Sequence, residues 1–304
     1  MLRQAEDKLS FGNNIIILKL AIYGRMAWMA YREDIFECGE VIEHEFKYMG
    51  RYGAKGEKRG QRRKATSDQI KKQNLANKIK RVRRVILLNF HPWDLWLTLK
   101  YKRGTRKDTK EVLADVKDWT DKLRNVYKKE GEPLKWIRRI EIGVQGGIHV
   151  HILVNRPRSM PTIDLTIKKL WGRAGINFQS LREEGGYGQL ASYICKQTDD
   201  EMEGQLSFLP DEDRKRCISY STSRNLIRPE DVRIRKKYGH WTMRRILKDG
   251  PKPREGYYID KDSIRTGINP YTGMSYFYYS EIKIKNRWDG ADGDLDKGKE
   301  KLVT

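Results

Sequence analysis

The sequence predicts an α+β protein: an antiparallel sheet with helices packed on it, a basic N-terminal arm before it and a β-rich extension after it. Three observations predict this class. Leu95 to Tyr101 (LWLTLKY) alternates and is rich in β-formers, so it reads as a strand. From Asp108 the apolar residues shift to three- and four-residue spacing, which is the period of a helix. Two further apolar runs then flank Gln145-Gly146-Gly147, a hairpin signal. Strand, helix, hairpin, helix, helix is the order of an α+β sheet covered by helices on one side.

Size and charge bound the function. A chain of 304 residues can hold one large domain, or a catalytic domain with additions, and either buries a proper core. The net charge is +22, with basic side chains recurring along most of the chain. That favours a polyanionic partner, and nucleic acid is the commonest, because each Lys or Arg that neutralises a phosphate releases a counterion. Charge alone does not separate an enzyme from a binder. Cys38, Cys195 and Cys217 are odd in number and lack CxxC spacing, so neither a disulfide framework nor a zinc knuckle is expected and a reducing, cytoplasmic setting fits. The apolar stretch Ile15 to Ala30 is interrupted by Lys19 and Arg25 and falls short of the about 20 residues a membrane helix needs. It also lacks a signal-peptide cleavage site, so no membrane partner is expected.

In order along the chain, residues 1–28 read as an extension extraneous to the fold, with translation expected to start naturally at Met26 or Met29. Alternation around Val41, Glu43 and Glu45 predicts a short strand or extended arm. Gly50 to Lys64 is rich in Gly, Lys and Arg and reads as a mobile loop. Thr66 and Gln69 form a capping pair that opens a basic helix carrying Ile70, Ile79, Val82 and Val85, and residues 29–88 together make the basic arm. The core is expected over 89–218. Within it, Asp108 and Glu111 start a helix whose Val112, Val116, Trp119, Leu123, Val126 and Tyr127 form a core stripe, closed by Gly131 and Pro133. Trp136 to Val144 and Ile148 to Val154 are the hairpin strands, and helices follow at about Thr162 to Trp171 and Gln189 to Gln197. Residues 219–288 turn to short strands with aromatic clusters at Tyr257-Tyr258 and Tyr276 to Tyr279, and 289–304 read as a charged, Gly-rich, disordered tail. There is no internal repeat.

The chemistry concentrates in IHVHILV. Strand side chains alternate, so His149 and His151 emerge on one face while Val150 points into the core, an arrangement suited to capturing one cation. A third ligand is expected from the neighbouring strand. A two-residue hairpin loop would turn Glu141 to the opposite face; a three-residue loop, Gln145-Gly146-Gly147, pairs Val144 with Ile148 and sets Glu141 across from His151. Three-residue loops commonly end in a glycine of positive φ, which selects the second register and makes Glu141 the third ligand. One carboxylate with two imidazoles can hold Mg²⁺, Mn²⁺ or non-haem iron, and phosphate chemistry favours Mg²⁺ or Mn²⁺.

Tyr193 lies in LASYICKQT, a short helix buried on its Leu190 and Ile194 side, with Lys196 expected beside the ring three positions on. A phenol attacks poorly near neutral pH unless something favours the phenolate, and a neighbouring ammonium does so. Tyr187, in the loop before the helix, is the rival nucleophile and has no lysine so placed.

The segments LWLTLKY, Glu141 with IHVHILV, and SYICK, in that order, resemble the HUH endonucleases, specifically the single-tyrosine rolling-circle replication initiators of small plasmids and single-stranded DNA phages. The first motif corresponds to Trp96 to Tyr101, the His-hydrophobic-His motif to His149 to His151, and the tyrosine-lysine helix to Tyr193 to Lys196, with likeness extending from about Cys38 to SYSTSRNLIRP at Ser219 to Pro229. Relaxases of conjugation carry the tyrosine ahead of the histidines, and here it follows them. The resemblance implies an RNA-recognition-like (RRM-like) antiparallel sheet bearing the metal site, with the tyrosine helix alongside. It implies a metal-dependent nickase in which Tyr193 attacks the scissile phosphate, Lys196 assists, and a 5′-phosphotyrosine and a free 3′-hydroxyl result. The expected substrate is single-stranded or hairpin origin DNA. The chain has no GxxxxGK[ST] loop, so helicase and polymerase are expected from the host. A transposase using the same chemistry and a non-catalytic nucleic-acid binder are the alternatives.

Overall fold

The computed structural model of the protein describes residues 29–50, 57–105, 107–142, 147–181, 184–196 and 219–284. In chain order the first elements are β1 (Tyr31–Cys38), β2 (Val41–Tyr48), α1 (Ser67–Asn89), β3 (Leu95–Leu99), α2 (Thr109–Lys129), β4 (Trp136–Ile142) and β5 (Ile148–Val154). Then come α3 (Ile163–Trp171), β6 (Ile176–Ser180), a 3₁₀ turn (Glu184–Tyr187) and α4 (Gly188–Cys195). The chain continues with β7 (Tyr220–Thr222), β8 (Arg233–Tyr238), α5 (His240–Asp249), β9 (Tyr257–Asn269) and β10 (Met274–Lys283). Two antiparallel sheets with helices make the α+β class. The chain divides into two compact units, one of residues 66–231 and one of residues 1–65 with 232–304. The stretch 29–88 is thus shared: its strands lie in one unit and its helix in the other.

The unit of residues 66–231 holds a five-stranded sheet in the order β6-β3-β5-β4-β7. Both predicted capping boxes are present. Thr66 with Gln69 opens α1, and Asp108 with Glu111 opens α2. The α2 stripe is buried at Val112, Val116, Trp119, Leu123 and Tyr127, and it packs with Trp171 of α3 on Leu97, Leu99, Val150 and Ile152. The opposite sheet face carries Ile137 and Leu153 and is covered by Val82, Val85 and Ile86 of α1 and by Ala191, Ile194 and Cys195 of α4. Helices therefore cover both faces, not one as expected. The last turns of α1 supply the second apolar face, although its first two turns are exposed.

The hairpin register also differs from expectation. Strands β4 and β5 end at Ile142 and Ile148, and Glu141 pairs with His149 while Arg139 pairs with His151. The pairing is displaced by two residues from the expected one, an even shift, so Glu141 keeps the face of both histidines. Glycines at 143, 146 and 147 lower the strand propensity of the connection; Val144 lies outside the described residues. Strand β6, unanticipated, adds to β3 with Gln179 opposite Trp96.

The other unit holds the sheet β8-β1-β2-β10-β9. Tyr31, Phe46, Phe277 and Tyr279 pack against Met243 and Ile246 of α5. The expected short aromatic strands are instead a long hairpin, of 13 residues in β9 and 10 in β10. Part of the expected mobile loop is pinned: Gly60 N–H donates to Gly273 O at 2.7 Å and Arg63 N–H to Pro270 O at 2.9 Å. Glu57 accepts from Tyr31 and from Ser275 Oγ. The expected extension 1–28, the rest of that loop at 51–56 and the tail 289–304 lie outside the described residues. Among the described residues no helix is long and apolar enough to cross a membrane.

Candidate active site

Alternation along β5 buries Val150 completely and leaves His149 and His151 half-buried on the other face. Thr98, paired with His151 across β3 and β5, brings its hydroxyl to 3.2 Å from His151 Nδ1. Trp96, two residues earlier on the same face, stacks on the imidazole with ring centres 5.7 Å apart. The hydroxyl and the indole together fix the ring plane, leaving Nε2 directed at the neighbouring strand. There Glu141 Oε2 stands 2.9 Å from His151 Nε2.

Helix α4 delivers the tyrosine to this point. The Tyr193 hydroxyl donates to Glu141 Oε2 at 2.5 Å and lies 3.0 Å from His151 Nε2. Its ring meets the edge of Trp96 at 6.0 Å. Both ends of this short helix are held. At its start Gly186 and Tyr187 are both left-handed, at φ 57° and 62°, and Arg83 Nε donates to Gly186 O at 2.7 Å. At its end Arg139, a buried residue of β4, donates to the carbonyls of Tyr193, Ile194 and Lys196 at 3.1, 3.1 and 2.6 Å. The Tyr193 carbonyl also accepts the Lys196 N–H at 3.1 Å, the others are among those a helix C-terminus leaves without an intrahelical donor, and a cation there complements the helix dipole.

Charge is unevenly arranged. The hydrogen bond from His151 holds the Glu141 carboxyl down at about 2, with a further contribution from Tyr193, against the upward push of burial. Burial, and then the Glu141 carboxylate, push the Tyr193 phenol well above its ordinary value. Burial, then the proximity of His151 and Lys100, lower His149. The arrangement is thus an ionised carboxylate accepting the proton of a neutral phenol.

The structure brings Glu141, His151 and Tyr193 into mutual contact and sets His149 opposite Glu141 on the same face. Lys196 differs from expectation. The helix ends at Cys195, and Lys196 is its C-cap, with ψ 126° and an exposed side chain. The cation whose charge acts on the Tyr193 phenol is Arg139. A signal for it exists in the sequence: in IRRIEI, Arg139 stands two residues before Glu141 and so on the same strand face. Tyr187 is buried, and with Trp96, Gln179 and Gln189 it lines a cavity of about 600 Å³ beside the site.

A carboxylate and two imidazoles on one face suit a divalent cation by donor chemistry. Among the described residues, however, no three His, Cys, Asp or Glu side chains already stand as a closed ligand set. Glu141 and His151 converge, and the Tyr193 hydroxyl sits against both.

Residues 94–198 match the family model of the replication-associated protein ORF2. The matched stretch runs from just before β3 past the end of α4, so it contains Trp96, Thr98, Arg139, Glu141, His149, His151 and Tyr193. The match supports a replication-initiator role. No curated protein and no solved structure matches the chain. Helix α1, strand β7 and the whole unit built on β1, β2 and β8 to β10 lie outside the matched residues.

Proposed function

We propose that the chain is a replication-initiation endonuclease that nicks single-stranded DNA through Tyr193. The observation that carries this reading is the convergence of the Tyr193 hydroxyl on Glu141 Oε2 and His151 Nε2. Oη of Tyr193 attacks the scissile phosphorus, and the bond from phosphorus to the 3′ oxygen breaks. The phenolic proton passes to water, and water returns a proton to the departing oxygen to give a free 3′-hydroxyl. The phosphate stays on Tyr193 as a 5′-phosphotyrosine. Reversal of the same steps rejoins a strand, as termination of rolling-circle synthesis requires.

Arg139 fixes the helix that carries Oη, while Thr98 and Trp96 fix the His151 ring. Mg²⁺ or Mn²⁺, held by Glu141, His149 and His151, would neutralise charge on the phosphate when bound. Substrate reaches the site unpaired, with the exposed basic residues of α1 available to the phosphate backbone. The match to replication-associated proteins favours initiation, with host helicase and polymerase, over transposition.

The test uses the full chain, Mn²⁺ and labelled single strands tiled across the replicon that encodes it, followed by denaturing electrophoresis. A covalent adduct with one strand segment, absent in Tyr193→Phe, is expected. An adduct undiminished in that variant moves the nucleophile elsewhere.

A further inference from the structure

Helix α5 belongs to the unit outside the matched residues, and its two sides are of opposite character. Met243 and Ile246 turn inward and pack on the sheet beside Tyr31, Phe46 and Phe277, with Met243 at 1% exposure. His240, whose Nδ1 is 3.4 Å from Glu57 Oε2, ties down the first turn. Trp241, Arg244, Arg245 and Lys248 fall at i, i+3, i+4 and i+7, so they share an arc of about 100° directly opposite the buried pair. All four are exposed, Trp241 at 68%. The Arg244 guanidinium carbon lies 5.6 Å from the centre of the Trp241 ring. The one acidic residue of the helix, Asp249, lies on its flank and not on this stripe.

A solvated helix face looks different, and α2 of the same chain shows how. There the outward cations are matched by acids about one turn away: Lys117 with Asp121 at 2.8 Å, Lys122 with Asp118 at 2.9 Å, and Arg124 with Asp121. On the α5 stripe three cations stand together without an acid among them. Like charges at that spacing repel, and a polyanion relieves them. An exposed tryptophan on the same stripe is a separate sign of a partner, because Trp and Arg are the residues that most often anchor interfaces. Lys236 of β8 and Lys252 past the helix end are also exposed and share a cavity rim with Arg245, extending the positive surface beyond the helix.

We infer that the outer stripe of α5 enters the major groove of duplex DNA, with Arg244, Arg245 and Lys248 reaching phosphates and base edges and Lys236 and Lys252 the flanking backbone. The stripe is a convex ridge about 10 Å long from Trp241 to Lys248. It matches a groove roughly 12 Å wide, which admits one helix. A single strand is held the other way, in a channel with successive rings for successive bases, and the stripe carries one ring. An anionic membrane takes up the apolar face of a basic helix, and the apolar face of α5 is buried on its own sheet. This unit thereby holds paired DNA, whereas the Tyr193 site takes its strand unpaired. The inference holds or fails independently of cleavage by Tyr193.

The test is fluorescence anisotropy of the full chain with labelled duplexes tiled across the replicon that encodes it, and with one strand of each, over a range of salt. Arg244→Ala combined with Arg245→Ala and Lys248→Ala should weaken the best-bound duplex by roughly tenfold or more and lower its salt slope by roughly 2–3, about 0.9 per phosphate contact. The ratio of duplex to single-strand affinity should fall with it, at an unchanged melting temperature. Lys110→Ala combined with Lys128→Ala and Lys129→Ala removes the same charge from exposed positions of α2 and should leave the duplex near wild-type affinity. Guanine N7 opens into the major groove, so wild-type protein should protect it from dimethyl sulfate and the α5 variant should not. Tyr193→Phe should leave duplex binding unaltered, which separates this surface from the nicking centre. Absence of duplex binding, an equal loss in the α2 variant, equal losses for duplex and single strand, or a bound duplex with every N7 open would each overturn the inference. So would stripe-dependent binding to phosphatidylglycerol vesicles with duplex affinity unchanged, which would assign α5 to a membrane.

Discussion

The guanidinium of Arg139 donates to the carbonyl of Lys196 at 2.6 Å. Through that bond and two weaker companions, the strand that carries Glu141 grips the end of the helix that carries Tyr193. All three bonds come from one guanidinium nitrogen, Nη1, and Arg139→Lys keeps the charge but ends its stem short of that position. Adduct formation is expected to slow by about 100-fold, the scale of a misplacement near 1 Å. Unfolding free energy should fall by about 1–3 kcal/mol as buried carbonyls lose their donor. Single-turnover gels and urea melts measure the two, and a wild-type rate in this variant would remove Arg139 from the positioning of Tyr193.

The two tyrosines of the site separate cleanly. Tyr193 presents its hydroxyl to Glu141 and His151, whereas the Tyr187 ring is buried on a left-handed backbone at φ 62°. Tyr193→Phe should give no adduct, and Tyr187→Phe should retain it, because a buried wall residue is not delivered to a phosphate. Mapping the labelled peptide after proteolysis checks the assignment, and a label on the peptide containing Tyr187 would reverse it.

Chelation should abolish the adduct while leaving oligonucleotide binding intact, since phosphate contacts come from Lys and Arg and not from the Glu141, His149 and His151 set. Glu141→Ala should mimic the chelator and resist rescue by added Mn²⁺. Measuring adduct and fluorescence anisotropy on the same samples distinguishes loss of chemistry from loss of binding. A full adduct in excess EDTA would eliminate the metal reading.

The site is legible in the sequence where a strand period governs it. Alternation through His149 and His151, and the parity of the hairpin, put Glu141 on the right face even though its partner across the hairpin differs by two residues. Arg139 escapes because a charged residue on a strand is ordinarily solvated, and only the arrival of α4 buries it. The second sheet is legible only in part: the strand around Val41 to Glu45 and the aromatic strands near Tyr257 and Tyr276 are expected, whereas β1 and β8 are not. Its buried positions include Glu33, Asp34, Glu43, His44 and Glu281 beside Ile35, Phe36, Ile42 and Phe46, so no apolar-polar alternation marks one face there. The helix expected to run to about Gln197 ends at Cys195, so Lys196 is its C-cap, and Arg139 donates to the carbonyls at that end.

Asp115 of α2 offers a measurement of how firmly the first strand of the site is anchored. Its carboxylate accepts from Lys107 at 2.6 Å and from Tyr101 at 3.0 Å, and pairs with Arg173 at 3.0 Å. Burial pushes this carboxyl up, but the bonds from Lys107, Tyr101 and Arg173 outweigh it and hold the group below its ordinary 3.8. A folded-state value below the unfolded one means that the stabilisation is present above the ordinary value and is lost as pH falls through the folded one. Asp115→Asn should therefore cost about 1 kcal/mol at neutral pH, and the difference from wild type should shrink as pH falls below 3.8. Urea midpoints at neutral and acid pH read the gap directly, and curves that stay parallel would show that Asp115 carries no such linkage. Because Tyr101 lies just beyond β3, loosening it should also slow adduct formation modestly, through Trp96 and Thr98 and hence the His151 ring.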